Sequence, residues 1–190
     1  MTRWIRVLLT ILRSWRLPRL GVDQESDLTF RVWPTDADLS IMNHATFLTI
    51  MEQGRIDFLF RTGFIGLLRR HHWSAVLGSI TVQFRSPLRR FQRYQLGTRV
   101  ACWDSDWIYL EHRVSRADKL VACGLARIAI VARAGRVSPV EALLAFGLSP
   151  GAPPAPDMVP ALQRGEQLMH DRIRDWPDLE WSLGLPRDAG

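Results

Sequence analysis

Between His44 and Arg61 the chain places Ala45, Phe47, Leu48, Ile50, Met51, Ile56, Phe58, Leu59 and Phe60 at helical spacings that reach most of the way round. A helix apolar on nearly every side is buried, so the rest of the chain must wrap it. Asn43 suits its N-cap and Gly63 its C-terminal stop. Gly54, in mid-helix, costs about 1 kcal/mol relative to alanine, a cost that close approach of a neighbouring element would explain.

The wrapper is written on either side. Asp27 to Trp33 alternates Leu28, Phe30 and Val32 against polar neighbours and stops at Pro34, which reads as a strand. After the helix, Phe64 to Arg70 adds a helical turn or two. Strand signals follow: Ile80, Val82 and Phe84 in alternation; Tyr94 to Trp103; Ile108, Leu110, His112 and Val114 in alternation; and Leu120 to Ala132, apolar almost throughout. Asp104-Ser105-Asp106 and Arg116-Ala117-Asp118-Lys119 are the turns between them. Strand, buried helix, then four strands in antiparallel succession predicts an α+β fold. In it one five-stranded antiparallel sheet is wrapped around one long central helix.

Extensions flank this body at both ends, giving three expected units: 1–20, 21–136 and 137–190. Thr2 to Leu17 reads as a basic amphipathic helix. Stepped at about 100° per residue, Trp4, Ile5, Val7, Leu8, Ile11, Leu12 and Trp15 share one half of the wheel, with Arg3, Arg6, Arg13 and Arg16 toward the other. Its apolar stripe either packs on the body of the protein or lies in a membrane interface, with arginines on anionic lipid. At the other end, Ser138-Pro139-Val140-Glu141 is a capping box opening a short helix that ends at Gly147. A proline-rich linker spans Ser149 to Pro156, and Asp157 to Trp176 reads as a second amphipathic helix.

Composition narrows the function. The apolar share of 47% and the 23% of charged residues are those of a globular domain. No apolar run nears the ~18 residues needed to span a bilayer. Lys119 is the only lysine, and a net charge of +6 carried by scattered arginines does not make a nucleic-acid tail. Cys102 and Cys123 lie in predicted strands and read as buried reduced thiols rather than a disulfide. The histidines lack metal-ligand spacing, and neither a Gly-rich phosphate loop nor a Gly-x-Ser-x-Gly elbow is present. No metal and no cofactor is expected.

What remains is the stretch just before the buried helix, where Asp36 and Asp38 precede Asn43. Carboxylates and amide donors meet there at a helix N-terminus, which makes a candidate active site; aspartate is also the common cap of such a loop. Four stretches together resemble a known family: Pro34-Thr35-Asp36-Ala37-Asp38-Leu39, Met42-Asn43-His44-Ala45-Thr46-Phe47-Leu48, Gly54 to Gly63, and Phe84-Arg85-Ser86-Pro87-Leu88-Arg89-Arg90-Phe91-Gln92-Arg93-Tyr94. They are similar to the hotdog-fold acyl-CoA thioesterases, in the 4-hydroxybenzoyl-CoA thioesterase-like branch that includes thioesterase superfamily member six. The likeness covers roughly residues 27 to 135. One departure stands out: the gap from Asp38 to Phe47 is a residue shorter than in that family, and Ile41-Met42 stands where a histidine often precedes the asparagine pair.

The resemblance implies a hotdog domain that pairs sheets edge to edge into a homodimer, with a tetramer as the alternative. Its ligand would be an acyl thioester of CoA or acyl carrier protein. Asp38, with Asp36 in reserve, would be the nucleophile or base. At the positive end of the helix, with Asn43 as its cap, amides of His44, Ala45 or Thr46 would bind the developing oxyanion, and His44 would orient the substrate or fill the dimer interface. Arg89, Arg90 and Arg93 would hold phosphates, unless they are simply an exposed basic turn. Glu52, Arg55 and Asp57 read most cheaply as structural ion pairs on the helix. The shortened loop favours the alternative of a non-catalytic acyl or lipid-pathway binding protein on the same fold. Either protein would be cytoplasmic or peripheral on a membrane.

Overall fold

The computed structural model describes residues 3–147, 151 and 153–174. The end of the predicted second amphipathic helix at Trp176 and the tail from Pro177 lie outside the described residues, as does part of the proline-rich linker. In chain order the elements are α1 (Arg3–Arg16), β1 (Ser26–Arg31), a 3-10 turn (Pro34–Asp36), the two-residue strands β2 (Ala37–Asp38) and β3 (Ile41–Met42), α2 (His44–Thr62) and α3 (Phe64–Arg70). The strands β4 (Ser74–Phe84), β5 (Arg93–Trp103), β6 (Ile108–Arg116), β7 (Lys119–Ala132) and β8 (Gly135–Val137) follow, then α4 (Pro139–Ala145) and α5 (Met158–Arg174).

The sheet runs β1-β5-β6-β7-β4, all antiparallel, with short β8 turning back on β7. Because β1 precedes α2 and pairs with β5, while β4 follows α2 and pairs with β7, the helix is threaded between the two edges of the sheet. Register shifts in β4, β5 and β7 add local twist, which lets the sheet curl around α2. The core beneath the helix joins Phe47, Ile50 and Met51 to Val32, Leu88, Tyr94, Leu96, Val114 and Val121. Each of the large side chains so buried contributes about 1.5–3 kcal/mol. Gly54 sits where α2 crosses β5. A Cβ there would come within 2.3 Å of Thr98 Oγ1 and 2.9 Å of Leu96, so the glycine sets how close helix and sheet lie.

Two boundaries differ from the pattern in the sequence. β1 stops at Arg31 because Val32 pairs with the turn at 91–92 instead, donating to the Gln92 carbonyl and accepting from Phe91. β4 begins at Ser74, well before the alternation that starts at Ile80. Its first residues are drawn into the sheet by pairing with β7, where Ser74 faces Val131.

α5 covers part of the outer face of the sheet. Val159 and Leu162 pack on Cys102, Tyr109 and Leu125. Gln163 donates to Tyr109 Oη (2.9 Å) and Asp104 (3.1 Å), while Glu166 pairs with Arg127 and accepts from Ser79. Both cysteines are free thiols, and burial pushes each of them up in pKa, toward an inert protonated state.

Candidate active site

The residues before α2 fold back on its first turn. Asn43 caps the helix: its Oδ1 accepts from the Thr46 amide at 2.8 Å and the Thr46 hydroxyl at 2.9 Å. The Asp36 main-chain carbonyl accepts from the Asn43 amide at 3.0 Å. Asp36 itself is buried, and its carboxylate accepts from the Trp33 amide at 3.0 Å across the 3-10 turn. Asp38 stands exposed on β2, opposite Ile41 in a tight hairpin. With the Thr46 amide taken, the first-turn amides of His44 and Ala45 are the donors the helix directs outward, where its dipole is positive. Both residues are exposed, and the His44 ring meets the edge of Phe84 at 4.6 Å between centroids.

The arginine turn comes to the same place. Ile41 bridges Arg89, the Met42 amide donates to Leu88 at 2.8 Å, and the Arg90 amide donates to Ser40 at 3.2 Å. Arg89, Arg90 and Arg93 are exposed along this seam. The fold thus brings the aspartate hairpin, the start of α2 and the basic turn side by side, although some fifty residues separate them in the chain.

A groove of about 290 Å³ runs between the first half of α2 and β4, lined by Leu48, Thr49, Glu52, Arg55, Leu77 and Ile80. Leu48 lies five residues beyond Asn43, so the groove opens about 7 Å along the helix from the cap. A second, wholly apolar slot of about 50 Å³ lies near the other end of α2, beside Phe58, Leu59, Thr62, Val100 and Trp103.

The groove is backed by a polar chain that ties Arg55 to the sheet. Arg55 donates to His112 Nε2 at 3.3 Å, and His112 Nδ1 lies 3.0 Å from Thr98 Oγ1. A guanidinium has no acceptor, so Nε2 accepts and the neutral ring carries its proton on Nδ1, donated to Thr98. Burial first, and the Arg55 charge second, push the His112 pKa down to about 3. Burial also lowers Arg55, while Glu52 one turn away acts to raise it. The signal was present in the sequence, since His112 falls in register with Leu110 and Val114 on the inward face of β6. A histidine among apolar neighbours requires a buried partner.

Asp57 answers a different need. It is fully buried, accepts from Ser14 at 2.6 Å and Ser26 at 2.5 Å, and pairs with Arg61 at 3.4 Å. That holds α1 and β1 against the flank of α2 opposite the groove. Among the described residues, no cluster of His, Cys, Asp and Glu is arranged to hold a metal ion, and no helix is long and apolar enough to cross a membrane.

Comparison with known proteins gives this geometry a context. A family model described as thioesterase-like superfamily matches residues 32–163. The probable thioesterase YBR096W of Saccharomyces cerevisiae is 30% identical over 81 residues, 42% of this chain and 35% of its own length. Protein THEM6 of Xenopus laevis is 30% identical over 96 residues, 50% of this chain and 46% of that protein. The chain thus spans between about a third and a half of the length of these curated relatives. Among solved structures, a probable thioesterase from Bartonella henselae superposes with a TM-score of 0.55 at 21% identity, covering 60% of this chain and 98% of that one. Gentisyl-coenzyme A thioesterase BH1999 superposes with a TM-score of 0.56 at 19% identity, covering 63% and 99%. Both are hotdog folds, and so is this chain.

Proposed function

The chain belongs to the thioesterase-like superfamily, and from that membership and the groove beside the start of α2 we propose that it hydrolyses acyl thioesters of CoA or acyl carrier protein. In this reading the acyl thioester lies along the groove with its carbonyl at the α2 N-terminus. Asp38 takes a proton from water as the new C–O bond forms. The oxyanion is held by the His44 and Ala45 amides, with Asn43 fixing their geometry. The C–S bond then breaks and the thiolate leaves as the thiol, taking the proton that Asp38 had accepted, which restores the carboxylate. Asp36 serves as the reserve carboxylate, and Arg89, Arg90 and Arg93 meet the phosphates of the carrier.

A second copy of the chain and a membrane surface met through residues 2–17 are the other partners in this reading, which places the protein in the cytoplasm or on the inner face of a membrane. The support for a second copy is the outer edge of β4. It is 11 residues long, the last strand of the sheet, and exposes Val76, Leu77 and Phe84. An edge of that length and polarity is a template for pairing. The extensions before 21 and after 136 are then additions to a catalytic unit.

The observation that carries the proposal is the opening of an acyl-sized groove within two turns of the Asn43 cap. A panel of acyl-CoAs with a free-thiol readout tests it. Thr49→Trp fills the groove and is expected to raise KM at least tenfold for long acyl chains with little change in kcat; unchanged kinetics would remove the groove from the reaction. A non-catalytic acyl binder on the same fold is favoured by one observation, namely that the buried Asp36 carboxylate is already engaged as a cap. That reading predicts acyl-CoA binding with no release of thiol.

A further inference from the structure

The N-terminal helix is docked the opposite way round from an ordinary amphipathic helix. Among its described side chains the buried ones are Thr10 and Ser14: Thr10 donates to Gln53 at 3.4 Å, and Ser14 to Asp57 at 2.6 Å. Both pairs are 43 residues apart, so α1 lies parallel to α2 and meets it turn for turn. The polar stripe faces inward, and the apolar one is left outside. Ile5, Leu8, Leu9, Leu12 and Trp15 are all exposed, Trp15 at 70%. At about 100° per residue these five span a continuous arc of roughly 120°. Val7 and Ile11 are half-buried at its margin. Packing on the protein's own body takes only the edge of the stripe, through Val7, Ile11 and the Trp15 ring, which lies 6.4 Å from the Phe60 ring of α2, and leaves the other four side chains in the open.

We infer that this stripe is the contact of the protein with an anionic lipid surface, with Leu8, Leu12 and Trp15 entering the acyl boundary and the arginines meeting the headgroups. The inference extends the membrane contact proposed above and does not depend on hydrolysis. Charge complementarity selects lipid as the occupant. The first 22 residues contain Arg3, Arg6, Arg13, Arg16 and Arg19 and no acidic residue, so this segment holds almost all of the net charge of +6. Arg13, Arg16 and Arg19 are exposed beside the stripe. Each basic side chain near an anionic bilayer contributes about 1 kcal/mol, and the buried apolar area adds to that. A second copy is the weaker occupant on position. α1 lies beside β1, the edge strand on which Arg13 donates to the Thr29 carbonyl at 3.3 Å, whereas the edge proposed above for pairing is β4, at the other end of the strand order. The network of Ser14, Asp57, Ser26 and Arg61 ties the helix down by its polar side, so Leu8, Leu9 and Leu12 are presented without any of those bonds breaking.

Flotation of the full chain with vesicles of phosphatidylcholine and phosphatidylglycerol (about 3:1) tests this. The protein is expected to float with these vesicles, to float much less with phosphatidylcholine alone, and to be released by salt. Leu8→Ser/Leu9→Ser/Leu12→Ser, all at exposed positions, should lose at least tenfold in partitioning with an unchanged thermal melt and unchanged hydrolysis of a soluble short-chain acyl-CoA. Three results would overturn the inference: failure of the native chain to float, equal flotation of the triple variant, or a drop in oligomeric mass of the variant in place of lost flotation. The hydrolysis arm reads separately, so a failed lipid contact and a failed hydrolase remain distinguishable.

Discussion

His112 shows what one buried side chain asks of the whole molecule. Its ring is neutral, enclosed, and held between Arg55 and Thr98, with a pKa near 3 instead of the usual 6.5. Between those two values the unfolded chain binds a proton that the folded chain refuses. The stability from this group is complete above about pH 6.5 and is lost as pH falls toward 3, with a slope approaching about 1.4 kcal/mol per pH unit. Urea melts are expected to show a loss of about 2 kcal/mol between pH 7 and pH 5 from this residue. His112→Asn, though less stable at pH 7, should lose correspondingly less over that interval; an identical pH dependence in the two proteins would mean that the ring titrates freely. Residue-level patterns were also where the sequence was hardest to read. Asp36 and Asp38 are two positions apart and look interchangeable in a string of letters, yet one is enclosed beneath a 3-10 turn and the other exposed on a hairpin. The difference arises from hydrogen bonds to Trp33 and Asn43 that only the folded loop makes.

At the scale of elements, the long apolar helix announced itself, because a segment with no polar face has few places to go. α2 spans His44–Thr62, and Gly54 lies where close packing was expected. α3, the Asn43 cap and the Gly63 stop are local signals that tertiary context leaves alone. The start of β4 was not legible, since Ser74 to Ser79 carries no alternation and owes its conformation to β7. The orientation of α1 was legible only as a choice. Its apolar stripe is plain, but that Thr10 and Ser14 would be the buried residues depends on Gln53 and Asp57, 43 positions away. The β4 edge yields its own prediction. Val76→Lys places a charge on the exposed strand and is expected to convert the proposed dimer to a monomer in sedimentation velocity, with the fold intact by circular dichroism. An unchanged mass would overturn pairing through the β4 edge.

For the whole molecule, the sheet does one thing that bears on function: it gathers the aspartate hairpin, the first turn of α2, the arginine turn and the groove at one end. The α2 helix separates this region from α1 on its other flank, so the proposed chemistry and the proposed lipid contact fall on different faces of the molecule. Family membership agrees with that layout, while the carboxylate and the acyl group it acts on are proposals that rest on the geometry. The account turns on Asp38, and the most direct measurement is the rate of thiol release from acyl-CoA by the native chain and by Asp38→Asn, each checked for an unchanged melt. At least a hundredfold loss of kcat in the variant, with acyl-CoA still bound, is the predicted result. Thiol release at the native rate by Asp38→Asn would contradict it.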